Sequence, residues 1–363
     1  MTPPVEEKPV ETALRRYFLN LSPGKLMGLR QITDVNHRFK VLALDESNSF
    51  KKALRAMHEK AGKPVEPAYA EIRDAKLDIA RILGAYSSAV LLDVNYGARQ
   101  ALNSMALPKS VGLIVRSEAS KDAGLPSEYE PGWSVEKTKK MGAAAVKLLV
   151  YLDTEDTANV KAQITFVEKI SKACRENDIF LMTEELSFPR KGEDKSSPSY
   201  KERKVKNILE ATKLIGPHTD ILKLEFPGDI RADSPNHLQE NIGRLNEAAI
   251  RPWVLLSAGE KFDFFVKQVE LAMKGGASGY MAGRAIFNEY FEQAQAQARQ
   301  DFLRSTGVNR MHALNKIVDS SATPWMGRYQ ISDEDLADAV KPDWYFGAKG
   351  AAPIGAGQVK GDY

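Results

Sequence analysis

The chain reads as an α/β protein, a (β/α)₈ TIM barrel in a single domain, and three observations carry that reading. Short apolar, β-branched runs recur eight times, longer amphipathic stretches separate them, and each run carries a polar or charged residue within it or at its end. Near-continuous apolar strands alternating with helices belong to parallel sheets covered on both faces. Polar residues at the C-terminal ends of barrel strands are where such barrels build their chemistry. A doubly wound open sheet is the alternative.

Taken in order, residues 1–25 form an N-terminal extension whose opening, MTPPVEEKPVE, has prolines and acids where a leader needs a basic start and an apolar run. The stretch RRYFLNLSPGKLMGLRQI predicts a helix that closes the bottom of the barrel. The barrel spans 26–330. Its strands are VLALD (41–45), AVLLD (89–93), VGLIVRS (111–117), AVKLLVY (145–151), FLMTEEL (180–186), DILKLEF (220–226), WVLLSA (253–258) and GYMAGR (279–284). Between them lie helices with glycine stops, SVEKTKKMGAAA with Gly142 at its C-cap and EKFDFFVKQVELAMKGGA ending at Gly275 and Gly276. Residues 331–363 form a tail, loose after about residue 343. Its GAGQVKG (355–361) approximates a dinucleotide fingerprint but lacks the strand before and the helix after that would make it one.

Composition narrows the partners. Lys and Arg number 51 against 48 acids, a net charge of +3, and no basic stretch is interleaved with aromatics, so no nucleic acid is expected. No run approaches the length of a membrane span. The single cysteine, Cys174, cannot pair within the chain and suits a reducing cytoplasm. The histidines His37, His58, His218, His237 and His312 are scattered, without HExxH spacing, so neither a metal nor another cofactor is expected. The expected partner is a small molecule, and a homo-oligomer stays open.

Lys223 stands alone in DILKLEFP (220–227), and Lys147 holds the matching place in AAVKLLVY (144–151). Burying an unpaired ammonium costs several kcal/mol. Such a lysine snorkels to water, finds a partner, or releases its proton and becomes a nucleophile able to form a Schiff base. Around the two fall Asp45 and Glu46 at the end of the first run, Asp93 at the second, Arg116 at the third, Glu184 and Glu185 in the fifth, Glu225 in the sixth, Ser257 at the seventh and Arg284 at the eighth. Period-two alternation puts Lys223 and Glu225 on one face, and makes Glu184 and Glu185 point oppositely, one inward and one paired outside. Asp93 is either functional or a helix cap, and Glu225 either functional or an ion-pair partner of Lys223. Gly259, Gly279 and Gly283 either turn the chain or offer backbone N–H groups to a phosphate in the loops after the last two strands. The run at 189–204, PRKGEDKSSPSYKERK, is a solvated loop and helix start, or a lid.

With these residues in place, the pieces LALDESNSFKKAL, SSAVLLDVNYG, GAAAVKLLVYLD, LMTEELSFP, DILKLEFP, LLSAGE and MAGRAIFNEY make the chain resemble the class I tagatose 1,6-bisphosphate aldolase family, related to class I fructose-bisphosphate and sulfofructose-phosphate aldolases. The likeness runs from about residue 26 to 325. It implies that Lys223 forms the Schiff base, that Glu184 is the acid/base, and that Lys147 and Asp45 assist, the charge on Lys147 favouring a neutral Lys223. It further implies that Glu46, Leu256, Ser257, Gly259, Gly283 and Arg284 line the substrate, the last residues around a phosphate. Where the family usually reads Asp-Gln-Arg after its first strand, this chain reads Asp45, Glu46, Ser47, a change that bears on how the far end of the sugar is held. The implied reaction is reversible, metal-independent cleavage of a phosphorylated ketose, tagatose 1,6-bisphosphate first, to dihydroxyacetone phosphate and an aldehyde. The alternatives are an aldolase of a ketose 1-phosphate such as sulfofructose 1-phosphate, a phosphosugar-binding regulatory protein without turnover, and a barrel isomerase or decarboxylase using the lysines only as charges.

Overall fold

The protein is described from a computed structural model, which covers residues 9–342 and 344. The described residues divide into two compact units, 22–325 and the chain ends, 9–21 with 326–342 and 344. The tail after residue 344 and its glycine-rich near-fingerprint lie outside the described residues.

The larger unit is a closed barrel of eight parallel strands in sequence order. These are β1 (Phe39–Leu44), β2 (Ala89–Leu92), β3 (Gly112–Arg116), β4 (Ala145–Tyr151), β5 (Phe180–Leu186), β6 (Ile221–Leu224), β7 (Trp253–Leu256) and β8 (Gly279–Ala282). Closure comes from β1 pairing with β8, Phe39 opposite Gly279. All eight runs read from the sequence are strands. Several stop one or two residues sooner than expected, leaving Asp45, Asp93, Glu225, Ser257 and Arg284 just beyond the last ladder bonds. There their side chains need not sit inside the packed barrel.

The helices are α1 (Pro9–Leu19), α2 (Pro23–Ile32), α3 (Ser47–Lys60), α4 (Tyr69–Leu83), α5 (Ala98–Asn103), α6 (Val135–Lys140), α7 (Thr157–Glu176), α8 (Pro198–Ile215), α9 (Pro235–Ala248) and α10 (Phe262–Lys274). After β8 follow α11 (Arg284–Phe287), α12 (Ala296–Phe302) and α13 (Val308–Ser321). Two of the glycine stops are visible directly. Gly142, with φ +88°, follows α6, while α10 is capped by Gly275 and followed by Gly276 at φ +101°.

One expectation is corrected: RRYFLNLSPGKLMGLRQI is two helices and not one. Pro23 has no N–H and cannot continue α1, but it is well placed at the first turn of α2. It is α2 that covers the N-terminal end of the barrel. Gly28 packs so closely on the Ala144 carbonyl at the start of β4 that a Cβ would lie 2.5 Å from its oxygen, and Lys25 pairs with Asp220 at 2.7 Å just before β6. In the smaller unit, Arg15 pairs with Asp335 at 2.8 Å and the Phe18 ring stacks on Tyr329. Among the described residues no helix is long and apolar enough to cross a membrane.

Candidate active site

Three inward-facing strand residues set the centre. Glu184 on β5 lies beside Lys223 on β6 in register, and Lys147 reaches the same carboxylate from β4. The Oε2 of Glu184 stands 2.8 Å from Lys223 Nζ and 2.9 Å from Lys147 Nζ. Lys147 also donates to Asp45 Oδ2 and Glu118 Oε1, both at 2.9 Å. All five groups are at least nine-tenths buried. The structure thus brings together Lys223, Glu184, Lys147 and Asp45, and adds Glu118, which the sequence reading missed. Glu118 lies two residues past Arg116, beyond the end of β3, so no strand pattern singled it out; the spacing Arg116-x-Glu118 was the available signal.

The electrostatics divide the roles. Burial alone would lower the pKa of Lys147, but Asp45, Glu118 and Glu184 together hold it well above the usual lysine range, so it is a fixed cation. Burial would raise Asp45 and Glu184. For Asp45 the charges of Lys147, Lys223 and Arg116 outweigh burial and hold it well below the usual carboxylate range, and Lys147 and Lys223 lower Glu184. Burial dominates at Glu118 and raises it, and its Oε2 has no hydrogen-bond partner among the described residues. Glu184 is therefore an ionised acceptor shared by the Nζ atoms of two strand lysines, both of which line the cavity.

Two cavity lobes meet at this centre, sharing Asp45, Glu46, Glu184, Lys223 and Arg284. One extends over Ser47, Ser49, Arg116, Glu118 and Lys121. The other extends over Ser187, Phe188, Lys195, Leu256, Ser257 and Gly283. In the second, the Gly283 N–H faces Ser257 Oγ at 3.5 Å, and Arg284 Nε forms an ion pair with Glu46 at 2.7 Å. Burial raises Glu46, with Arg284 opposing. Gly259, at φ +73°, presses on Arg284, so that a Cβ would sit 3.0 Å from the guanidinium carbon. At Gly283 a Cβ would lie 2.4 Å from the Ala43 carbonyl oxygen. Gly283 is required by space and Gly259 by its positive φ, whatever else their N–H groups do.

Four expectations resolve differently. Asp93 is fully buried, pairs with Lys76 at 2.6 Å and accepts from Ser47 Oγ at 2.9 Å, a structural role behind the barrel wall. Glu225 pairs with Lys204 of α8 at 2.7 Å and accepts from the Ser187 N–H at 2.8 Å, so it serves the loop after β5 and leaves Lys223 to Glu184. Glu185 points away from Glu184 as alternation demands, but it is fully buried and neither carboxyl oxygen has a partner among the described residues. The run 189–204 includes the first turns of α8, capped by Ser197, and the loop before it is clamped: Arg190 bridges Asp153 and Glu155, while Arg203 pairs with Glu193 and donates to the Phe188 carbonyl. Lys195 of that loop lines the second lobe.

Comparison with known proteins agrees with this geometry. The chain is 30% identical over 334 residues to tagatose 1,6-diphosphate aldolase 2 of Streptococcus agalactiae, an alignment that covers 85% of this chain and 99% of that one. It is 29% identical, over the same share of its length, to all of tagatose 1,6-diphosphate aldolase 1 of Streptococcus mutans. The barrel resembles an archaeal fructose 1,6-bisphosphate aldolase (TM-score 0.54, 16% identity, 82% of this chain and all of that one). It also resembles the fructose-bisphosphate aldolase of Plasmodium falciparum (TM-score 0.62, 12% identity, 84% and 97%). The model of the DeoC/LacD family aldolases matches residues 45–289, from the first catalytic-end aspartate past Arg284. Every strand end that builds the two-lysine centre falls inside that match, and the chain belongs to the DeoC/LacD aldolase family.

Proposed function

We propose that the chain is a Schiff-base aldolase that reversibly cleaves a phosphorylated ketose, tagatose 1,6-bisphosphate first, into dihydroxyacetone phosphate and glyceraldehyde 3-phosphate. The observation that carries this reading is the single Glu184 oxygen within 2.9 Å of both buried lysines. Lys223 gives its proton to Glu184, the nearest acceptor, and the free amine attacks the C2 carbonyl. Glu184 hands that proton to the hydroxyl leaving C2, so that loss of water leaves an iminium beside an ionised Glu184, and the iminium draws the electron pair of the C3–C4 bond toward nitrogen. Glu184 takes the proton of the C4 hydroxyl as that bond breaks, and the aldehyde departs. The remaining enamine is protonated at carbon, and addition of water to the imine releases dihydroxyacetone phosphate and restores Lys223. Lys147, pinned by Asp45 and Glu118, keeps a positive charge beside the alkoxide that forms. The phosphate next to the ketone rests against Ser257, Gly283 and Arg284. A lone buried cysteine suits a reducing compartment, and we place the activity in the cytoplasm.

The test is borohydride reduction in the presence of dihydroxyacetone phosphate, with the adduct located by peptide mass. Label on Lys223, together with release of both trioses from tagatose 1,6-bisphosphate, is the expected result. Label on another lysine overturns the assignment, and cleavage confined to ketose 1-phosphates moves the substrate to that class.

A further inference from the structure

The lobe that ends at Arg284 is poor in positive charge. Its cations are Lys195, Lys223 and Arg284, against the carboxylates of Asp45, Glu46, Glu184 and Glu225. Arg284 already faces Glu46 at 2.7 Å, Lys223 is paired with Glu184, and Glu225 is answered from outside by Lys204. During turnover Lys223 is also the atom that bonds to C2. A phosphate dianion arriving beside Ser257 and Gly283 therefore meets one guanidinium whose charge is largely cancelled.

We propose that Lys195 is a specificity-determining residue, supplying the second cation for the phosphate adjacent to the ketone. This rests on the aldolase reading above. Lys195 is exposed and has neither a hydrogen bond nor an ion pair among the described residues, while the loop that carries it is fastened on both sides. Arg190 holds the loop to Asp153 and Glu155. Arg203 holds it to Glu193 and the Phe188 carbonyl, and Ser197 caps α8 two residues later. The backbone is placed and the ammonium is left uncommitted on a flexible four-carbon stem at the mouth of the lobe, where it can follow a ligand inward. Its neighbour Lys191 sits on the same loop and does not line the lobe.

The experiment measures, for the full-length parent, Lys195→Met, Lys195→Arg and Lys191→Met, the ketone concentration needed for half-maximal borohydride labelling of Lys223. Dihydroxyacetone phosphate and unphosphorylated dihydroxyacetone are the two probes. Lys195→Met is expected to need about tenfold more of the phosphorylated ketone, the loss of one charge-assisted contact, and the same amount of the neutral one. Lys195→Arg should recover most of the difference, and Lys191→Met should match the parent. Equal shifts for both ketones would make Lys195 structural, and an equal effect of Lys191→Met would make the effect a long-range field; either result overturns the proposal. An unchanged Lys195→Met overturns it while leaving the aldolase reading intact, whereas a parent that labels with neither ketone removes both.

Discussion

Lys76 and Lys147 are both fully buried lysines near the C-terminal ends of the strands, and the chain treats them in opposite ways. Lys76, on α4, has one carboxylate, Asp93 at 2.6 Å, plus the Leu44 carbonyl at 2.7 Å and the Phe50 ring 4.9 Å away. Burial outweighs that single partner and lowers its pKa. Lys147 has three carboxylates, and they outweigh burial and raise it. One cation with one anion makes a closed pair that staples α4 to the ends of β1 and β2. One cation among three anions leaves acceptor capacity over, and that surplus receives a second lysine. The lesson is stoichiometric: a buried lysine marks chemistry when the carboxylates around it outnumber it and a cavity opens beside them.

The largest effect that would break this contrast is on Lys223. Lys223→Met should abolish borohydride labelling and lower kcat by more than about 10⁴-fold, because no other group supplies the nucleophile. Its melting temperature should stay close to the parent's, since Glu184 keeps Lys147. Residual cleavage with labelling moved to Lys147 would show that the two lysines are exchangeable. Next, Glu184→Gln should still label but cleave more slowly by roughly 10² to 10⁴, the worth of a positioned acid/base. A variant that cleaves at the parental rate would shift the role to Glu118, the only other inward carboxylate with an unpartnered oxygen among the described residues.

Lys76→Met reverses the pattern. Removing one member of a buried pair strands Asp93 without its cation and costs roughly 3–5 kcal/mol. Cleavage per folded molecule should be near normal. Adding Asp93→Asn to Lys76→Met should recover much of the loss, read as the midpoint of chemical unfolding. A stable single variant with damaged kcat would place Lys76 in the active cluster after all.

How far the sequence reaches can be judged on particular residues. All eight strands were legible because a parallel barrel buries both strand faces, and the apolar runs are correspondingly unbroken. Lys147 and Lys223 were legible for the same reason, as charges inside such runs. Glu118 was not, since it follows the end of β3 in a polar loop where one more acid carries no signal. Asp93 and Glu225 were legible as either functional or structural groups, but not their actual partners, because Lys76 and Lys204 arrive from helices 17 and 21 residues away in sequence. Helix partners of that kind are set by tertiary packing, which strand periodicity does not encode. The break between α1 and α2 is readable at Pro23, which has no N–H to continue a helix and suits the first turn of the next.

The smallest expected effect concerns the neighbouring glutamates, a second contrast inside one strand. Glu184 faces two lysines and is lowered, whereas Glu185 faces the barrel's outer layer, where burial first and Glu225 second raise it well above its ordinary 4.5, with Lys204 opposing and Glu184 adding to the rise. Glu185 is therefore carried as the neutral acid in the folded protein and ionises when the chain unfolds. A carboxyl raised in this way favours the fold below its unfolded pKa and loses that contribution progressively as pH rises toward its folded pKa. Glu185→Gln keeps the shape and removes the ionisation, so the variant should gain stability relative to the parent as pH rises from 5 to 8. At this size each kcal/mol recovered appears as roughly 1–2 °C in the melting temperature. Cleavage should hold near the parental rate at both values, because Glu185 turns its carboxyl away from the cavity. A Glu185→Gln variant whose melting temperature tracks the parent's at every pH would mean that the carboxyl is ionised in the fold, and that Lys204 answers Glu185 as well as Glu225.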